Sequence, residues 1–275
     1  MKPDLYTQIQ EASAVLSNYL NRKPEIALVL GTGMDSFSTY LDDLKEITYT
    51  DIPYFPKGET QSHQGKIYFG KVGSKEILVL SGRSHYYEGF SAAEVAFPVQ
   101  VLAHAGIKHI FFTNAAGGVN PHYSEGDIVL INDHINFLPD NPLRGRNDER
   151  IGLRFPDMMV TYCPETIQTL TILSQKEKIS FKQGVYLAMQ GPSLETPAEY
   201  KMAFRLGADL VGMSTVPEVI AARHCGLKVT ALSIVSNVCY PLQRLTPTTV
   251  EEVIQTVKNS SGKLNRILHS YFLLP

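Results

Sequence analysis

Residues 190–218 read QGPSLETPAEYKMAFRLGADLVGMSTVPE. Gly191 and Pro192 force a turn at the start. The carboxylate of Glu195 follows, then Pro197, whose missing N–H is not needed in the first turn of a helix. Residues 198–206 fit that helix. Residues 208–213 are a short apolar run that fits a buried strand. Ser214 and Thr215 come next, and Pro217 suits the opening of a second helix. One carboxylate and two hydroxyls thus stand at the mouths of two helices, where backbone N–H groups favour anions. A carboxylate repels an anion and accepts protons instead. This assigns two jobs: Glu195 holds an N–H-bearing ring, and Ser214 touches an anion. The stretch alone leaves a plainer reading open, in which Ser214 and Thr215 are N-caps and Glu195 is a solvated loop residue.

The flanking chain repeats the alternation. Helical spacing of apolar residues runs over 4–19 and ends at 21–24. IALVL at 26–30 is a continuous apolar run, hence a buried strand, and it empties into Gly31-Thr32-Gly33. Residues 53–65 are a polar, Pro- and Gly-rich loop. Strands over 66–72 and 76–81 form a hairpin about Gly73-Ser74. Ser91 and Glu94 form a capping box for a helix reaching Ala105, with Pro98 implying a kink or a later start. Strands are expected over 109–113, 127–132, 184–189 and 228–236, and helices over 164–178, 217–225 and 248–273. Residues 133–162 lack a period, and a loop of that length is usually a lid or an interface segment. The expected fold is α/β, one layered domain spanning 1–275, with a central mixed, largely parallel sheet flanked by helices.

Composition excludes several classes. The chain has 275 residues, 44% of them hydrophobic, and a formal net charge of −2. No basic excess exists to hold a nucleic-acid backbone. Three cysteines, Cys163, Cys225 and Cys239, are too few and too scattered for a disulfide framework, and no pair has metal-ligand spacing, so no metal is expected. The opening residues MKPDLYTQIQ lack a signal-peptide core, and no apolar run reaches membrane-spanning length. A cytoplasmic protein without membrane or nucleic-acid partners is expected.

Polar or Gly-rich turns gather at strand ends: Gly31-Thr32-Gly33, Gly82-Arg83-Ser84-His85, Asn114-Ala115-Ala116, Ser214-Thr215 and Asn237. In open α/β sheets ligands lie outside the carboxyl ends of the strands, so the repetition supports one shared pocket. Gly31-Thr32-Gly33 is not a dinucleotide fingerprint, because Ser36 stands where the third glycine belongs. Its N–H groups and the Thr32 hydroxyl suit an oxyanion, while a plain tight turn remains open. Arg83 offers paired hydrogen bonds to phosphate, and His85 is placed to donate beside it, oriented by Glu88. The alternative for Arg83 is a structural ion pair with Glu88. His63 follows a polar loop and is a candidate to border the same pocket, while an incidental loop histidine reads the same. Asn237 combines a donor and an acceptor, matching a ring edge, although an Asn in a left-handed turn reads the same.

These residues resemble the trimeric purine nucleoside phosphorylases. The matching segments are LGTGM (30–34), the loop with His63, GRSHYYEG (82–89), TNAAGG (113–118), NPLRGRNDERIGLRFP (141–156), GPSLETPAE (191–199), GMSTVPE (212–218) and SNV (236–238). They run in order over nearly the whole chain. The resemblance implies phosphate binding by Thr32, His63, Arg83, His85, the backbone N–H of Ala115, and Ser214. It implies ribose contacts from Tyr87 and Met213, and purine contacts from Glu195, Asn237 and Leu194. Phe155 falls where a neighbouring subunit reaches into the pocket, so a homotrimer is implied. Phosphate is a co-substrate, and no metal or organic cofactor is implied. Leu194 stands where an aromatic often packs on the base. Val250 falls about where mammalian members place a His against the ribose 5′-hydroxyl.

The implied reaction is reversible phosphorolysis of inosine- and guanosine-type nucleosides, giving free base and ribose 1-phosphate, a step of purine salvage. Asn237, Glu195 and His85 carry the catalytic roles. Preset donors aimed at developing charge contribute about 3–4 kcal/mol each. The alternatives are a methylthioadenosine phosphorylase, a nucleoside hydrolase, and a non-catalytic nucleoside sensor on the same scaffold.

Overall fold

IALVL forms β1 (Ile26–Leu30), with four of its five residues buried. It is apolar throughout because both faces are covered: Ala27 and Val29 join one hydrophobic layer, Leu28 and Leu30 the other. The structure is a computed structural model describing residues 3–20, 24–57 and 65–275. The further strands are β2 (Asp42–Thr48), β3 (Lys66–Val72), β4 (Lys75–Ser81), β5 (His109–Gly118), β6 (Ile128–Asn136), β7 (Phe181–Ala188), β8 (Leu210–Gly212) and β9 (Lys228–Val238). The helices are α1 (Leu5–Ser17), α2 (Ala92–Ala105), α3 (Pro164–Lys176), α4 (Pro197–Arg205), α5 (Val216–His224) and α6 (Val250–Phe272).

The sheet order is β2-β3-β4-β1-β5-β8-β7-β6-β9, and β5 also pairs with β9. That last pairing closes β5, β8, β7, β6 and β9 into a ring, from which β1, β4, β3 and β2 continue as an open sheet. Among the described residues five of the nine pairings are parallel and four antiparallel. Helices cover both faces. Ala12 and Leu16 of α1, Phe97 and Val101 of α2, and Val219 of α5 pack in one layer. Leu170 of α3 and Val257, Leu264, Ile267 and Phe272 of α6 pack in the other.

Several elements differ from the sequence reading. TNAAGG is not a turn: β5 runs through it to Gly118, paired with β9 across a bulge after Ala116. The glycines are there for close approach. A Cβ on Gly117 would lie 2.6 Å from Cys239 Sγ, and one on Gly118 2.9 Å from Val235 Cγ1. β9 likewise continues past Asn237 to Val238. β2 has no apolar alternation, since its first five residues are exposed, and charges on an edge strand block further pairing. α2 begins at Ala92 with the Ser91–Glu94 capping box and continues through Pro98, so no later start occurs. Among the described residues no helix is long and apolar enough to cross a membrane.

Candidate active site

The carboxyl ends of β1, β4, β5, β8 and β9 and the start of α6 surround one cleft of about 300 Å³. Thr32, Arg83, His85, Tyr87, Ala115, Leu194, Glu195, Met213, Ser214 and Asn237 all line it. So does Val250. His63 lies outside the described residues. Phe155 does not line this cleft within one chain. It is 85% exposed and borders a separate depression with His134, Asn136 and Arg154.

One end of the cleft is cationic. The loop after β1 is drawn tight against β5, because a Cβ on Gly31 would meet Thr113 O at 2.6 Å. The Gly31 N–H donates to Thr113 Oγ1 at 3.0 Å, and Gly33 has a φ of 77° that favours glycine. Arg83, just beyond β4, is buried and divides its fork. Nη2 donates to Ser214 Oγ at 2.6 Å and to Thr215 Oγ1 at 3.4 Å, while Nη1 faces Glu218 Oε2 at 3.3 Å. Among the described residues Arg83 pairs with Glu218, not with Glu88 as the alternative reading had it. Glu88 serves His85 instead: its Oε1 lies 2.8 Å from Nδ1 and accepts from the His85 backbone N–H at 2.9 Å. The ring is further held by Tyr87, stacked at 4.8 Å. A carboxylate so placed fixes the imidazole's orientation.

A buried polar layer supports that end, and the sequence reading missed it. Asn114 donates to Thr215 Oγ1 at 2.9 Å and accepts from Ser233 Oγ at 2.6 Å. Thr215 is fully buried with a φ of 70°, a conformation that costs a non-glycine residue roughly 1–3 kcal/mol. Its N–H donates to Glu218 Oε2 at 3.2 Å. Thr215 is thus the N-cap of α5, as the plainer reading had it, yet Ser214 beside it opens into the cleft. Burial raises the Glu218 carboxyl above its ordinary range, and the Arg83 charge pulls it back down. The one signal available in the sequence was Glu218 three residues after Thr215, a capping-box spacing.

The other end holds a carboxylate beside a carboxamide. Thr196 caps α4, and this leaves Glu195 one residue outside the helix, facing the cleft. Its Oε1 is buried and has no hydrogen-bond partner among the described residues. Burial raises the Glu195 carboxyl, and its interaction with the Tyr200 hydroxyl partly offsets this. The Asn237 carboxamide is held on two sides. Ser236 Oγ donates to its Oδ1 at 2.8 Å, and its Nδ2 donates to Cys239 Sγ at 3.2 Å. An amide nitrogen carries two hydrogens, so one stays available to the cleft. Burial pushes the Cys239 thiol up to about 12, which keeps it protonated. Met213 is seated against Gly191, where a Cβ would lie 2.5 Å from Sδ. Leu194 is 53% exposed at the rim.

A cationic, hydroxyl-lined end therefore faces an end able to accept one N–H and donate another. Comparison with known proteins agrees with this division. The model of the phosphorylase superfamily matches residues 25–272. Purine nucleoside phosphorylase 1 of Geobacillus stearothermophilus is 40% identical over 262 residues, 95% of either chain. The purine nucleoside phosphorylase of Mus musculus is 39% identical over 269 residues, covering 96% of this chain and 93% of its own. Among solved structures, the Schistosoma mansoni purine nucleoside phosphorylase in complex with inosine superposes with a TM-score of 0.92 at 33% identity, covering 98% of this chain and 97% of that one. Isoform 2 from the same organism, in complex with cytosine and ribose-1-phosphate, gives a TM-score of 0.93 at 35% identity with the same coverage. The chain belongs to the phosphorylase superfamily, within the purine nucleoside phosphorylases.

Proposed function

We propose that this chain catalyses the reversible phosphorolysis of 6-oxopurine nucleosides to free base and ribose 1-phosphate. One observation carries the reading. Arg83, His85 and Ser214 share a single cleft with the carboxamide of Asn237 and a carboxylate oxygen of Glu195 that has no partner among the described residues. A 6-oxopurine carries N1–H, which Glu195 Oε1 is placed to accept. A 6-aminopurine has a lone pair there and meets repulsion from an ionised carboxylate.

A phosphate oxygen attacks C1′ from the face opposite the base. The C1′–N9 bond breaks with oxocarbenium character at the sugar, and its electron pair passes to the purine. Asn237 donates to N7 as negative charge spreads over the ring, and Glu195 holds N1–H. Donors fixed before the charge develops need no reorganisation, which is why they act strongly in such a site. Arg83, His85, Ser214, the Thr32 hydroxyl and the Ala115 N–H hold phosphate in line, so proximity supplies much of the remainder. Tyr87 and Met213 flank the ribose, and Leu194 covers the base edge. Phe155, exposed within one chain, completes the ribose site of a neighbouring subunit in a homotrimer.

No covalent enzyme intermediate, metal or organic cofactor enters the scheme, and purine salvage in the cytoplasm is its setting. The test is hypoxanthine release from inosine with and without phosphate. Release that requires phosphate and yields ribose 1-phosphate supports phosphorolysis. Phosphate-independent release identifies a hydrolase, and binding without release a sensor.

A further inference from the structure

We propose that Thr215 is a positioning residue of the anion site: a one-way chain of buried hydrogen bonds, from Ser233 through Asn114 to Thr215, turns the Ser214 proton into the cleft and makes Ser214 an obligate donor. The inference rests on the phosphorolysis reading and deepens it. A serine hydroxyl carries one hydrogen and two lone pairs, so beside an anion it either donates or repels. Its other neighbours decide which.

The chain starts inside the sheet. Asn114 of β5 and Ser233 of β9 are register partners, and both are buried. Ser233 Oγ donates to Asn114 Oδ1 at 2.6 Å, which leaves Nδ2 turned toward Thr215. Nδ2 donates to Thr215 Oγ1 at 2.9 Å, and Arg83 Nη2 faces the same oxygen from 3.4 Å. An amide nitrogen and a guanidinium can only donate. Thr215 has thereby accepted twice, so in its 3.1 Å contact with Ser214 Oγ it is the donor. Ser214 Oγ also accepts from Arg83 Nη2 at 2.6 Å, which fills its second lone pair. Among the described residues its own hydrogen then has one further oxygen in reach, the Tyr186 hydroxyl at 3.4 Å. That is beyond the roughly 3.0 Å limit of a good O–H···O bond, and the Tyr186 oxygen already accepts from the Ser214 N–H at 3.3 Å. An anion oxygen in the cleft takes the hydrogen instead. Were the Asn114 amide turned over, Thr215 would donate back to it and draw the Ser214 proton inward. The anion would then face a lone pair.

The test measures the Kd of inorganic phosphate by titration calorimetry and, separately, the phosphate and inosine KM. Thr215→Val keeps the branched shape and removes the link. Phosphate should then bind about three- to tenfold more weakly, the worth of one neutral hydrogen bond, while the inosine KM holds. Thr215→Ser, which keeps the hydroxyl, should bind phosphate as the parent chain does. In a double-mutant cycle Thr215→Val should cost less than about twofold once Ser214→Ala is present, because its effect passes through that hydroxyl. Ser233→Ala, whose side chain does not line the cleft, should weaken phosphate binding by at least about twofold, and it decides the question if Thr215→Val does not fold. Phosphate binding untouched by these variants, or losses that add in full in the cycle, overturns the inference and leaves phosphorolysis standing. Phosphate affinities that shift as expected, without base release from inosine, defeat the phosphorolysis reading and leave the directed Ser214 proton in place.

Discussion

Arg83 and Glu218 are 135 residues apart in sequence and form an ion pair of 3.3 Å, with side chains only 8% and 5% exposed. The pair joins the end of β4 to the first turn of α5, and it faces the Arg83 fork toward Ser214. Removing one member of a buried pair strands the other charge, which typically costs about 3–5 kcal/mol. Glu218→Ala should therefore lower stability by that order in chemical denaturation. It should also raise the phosphate KM, because the guanidinium loses its anchor. A loss below about 1 kcal/mol, the range of surface pairs, would mean that Arg83 is held by its hydroxyl partners alone.

Arg83→Lys keeps the charge and removes the fork. Lysine cannot donate along two directions of one plane, so phosphate and Ser214 would compete for it. Losing a charge-assisted hydrogen bond of about 1.5–3 kcal/mol predicts a phosphate KM about 10- to 100-fold higher. Initial rates with phosphate varied at saturating inosine measure this. An unchanged phosphate KM would remove Arg83 from the anion site.

How much of this was legible beforehand differs by residue. Glu195, Arg83, His85 and Ser214 were readable because charge and hydroxyl types recur at strand ends, where an α/β sheet collects its ligands. The roles within the cleft came from the family resemblance, since composition cannot aim a side chain. The network joining Asn114, Thr215 and Glu218 to Arg83 was missed because it depends on contacts across more than a hundred residues, which no local period encodes. β2 was missed for the opposite reason: an edge strand is chosen for charge, and its sequence Asp42-Asp43-Leu44-Lys45-Glu46 carries no alternating face. TNAAGG misled because glycines that permit close strand approach look like glycines that permit a turn.

Glu195 is raised above the ordinary carboxylate range by burial, and it accepts N1–H more strongly when ionised. Hypoxanthine affinity should fall as pH drops through that raised value, and titration calorimetry across pH reads the midpoint. Glu195→Gln should bind about 10- to 100-fold more weakly at neutral pH and lose the acid limb. Stability moves the other way. A carboxyl with a raised value in the folded state contributes stability fully present below its unfolded value, and that contribution is lost as pH rises through the folded one. The ligand-free Gln variant should thus be the more stable protein at neutral pH, with the gap closing in acid. A gap that widens in acid would contradict the burial argument.

Phe155 is 85% exposed, and Met159 nearby is 86% exposed, more apolar surface than a solvated loop needs. If a neighbouring subunit's cleft receives Phe155, then Phe155→Ala should raise the inosine KM more than the phosphate KM. The measurement pairs steady-state kinetics with sedimentation, because a dissociated variant would lose both together. Wild-type kinetics from a monomeric species would end the shared-site reading.

Asn237 gives the sharpest test of the leaving-group end. Its carboxamide is fixed by Ser236 on the oxygen side and Cys239 on the nitrogen side, so the remaining N–H is aimed before substrate arrives. Removing a preset donor of this kind costs about 100- to 1,000-fold in turnover. Asn237→Ala should lower kcat for inosine by more than about tenfold even if a water partly substitutes. Cys239→Ala leaves the donor in place but frees it to rotate, so its kcat loss should be several times smaller. Single-turnover base release separates chemistry from product release in both variants. Equal losses would make the thiol as important as the amide it steadies, and an undiminished Asn237→Ala would show that purine departure needs no donor there.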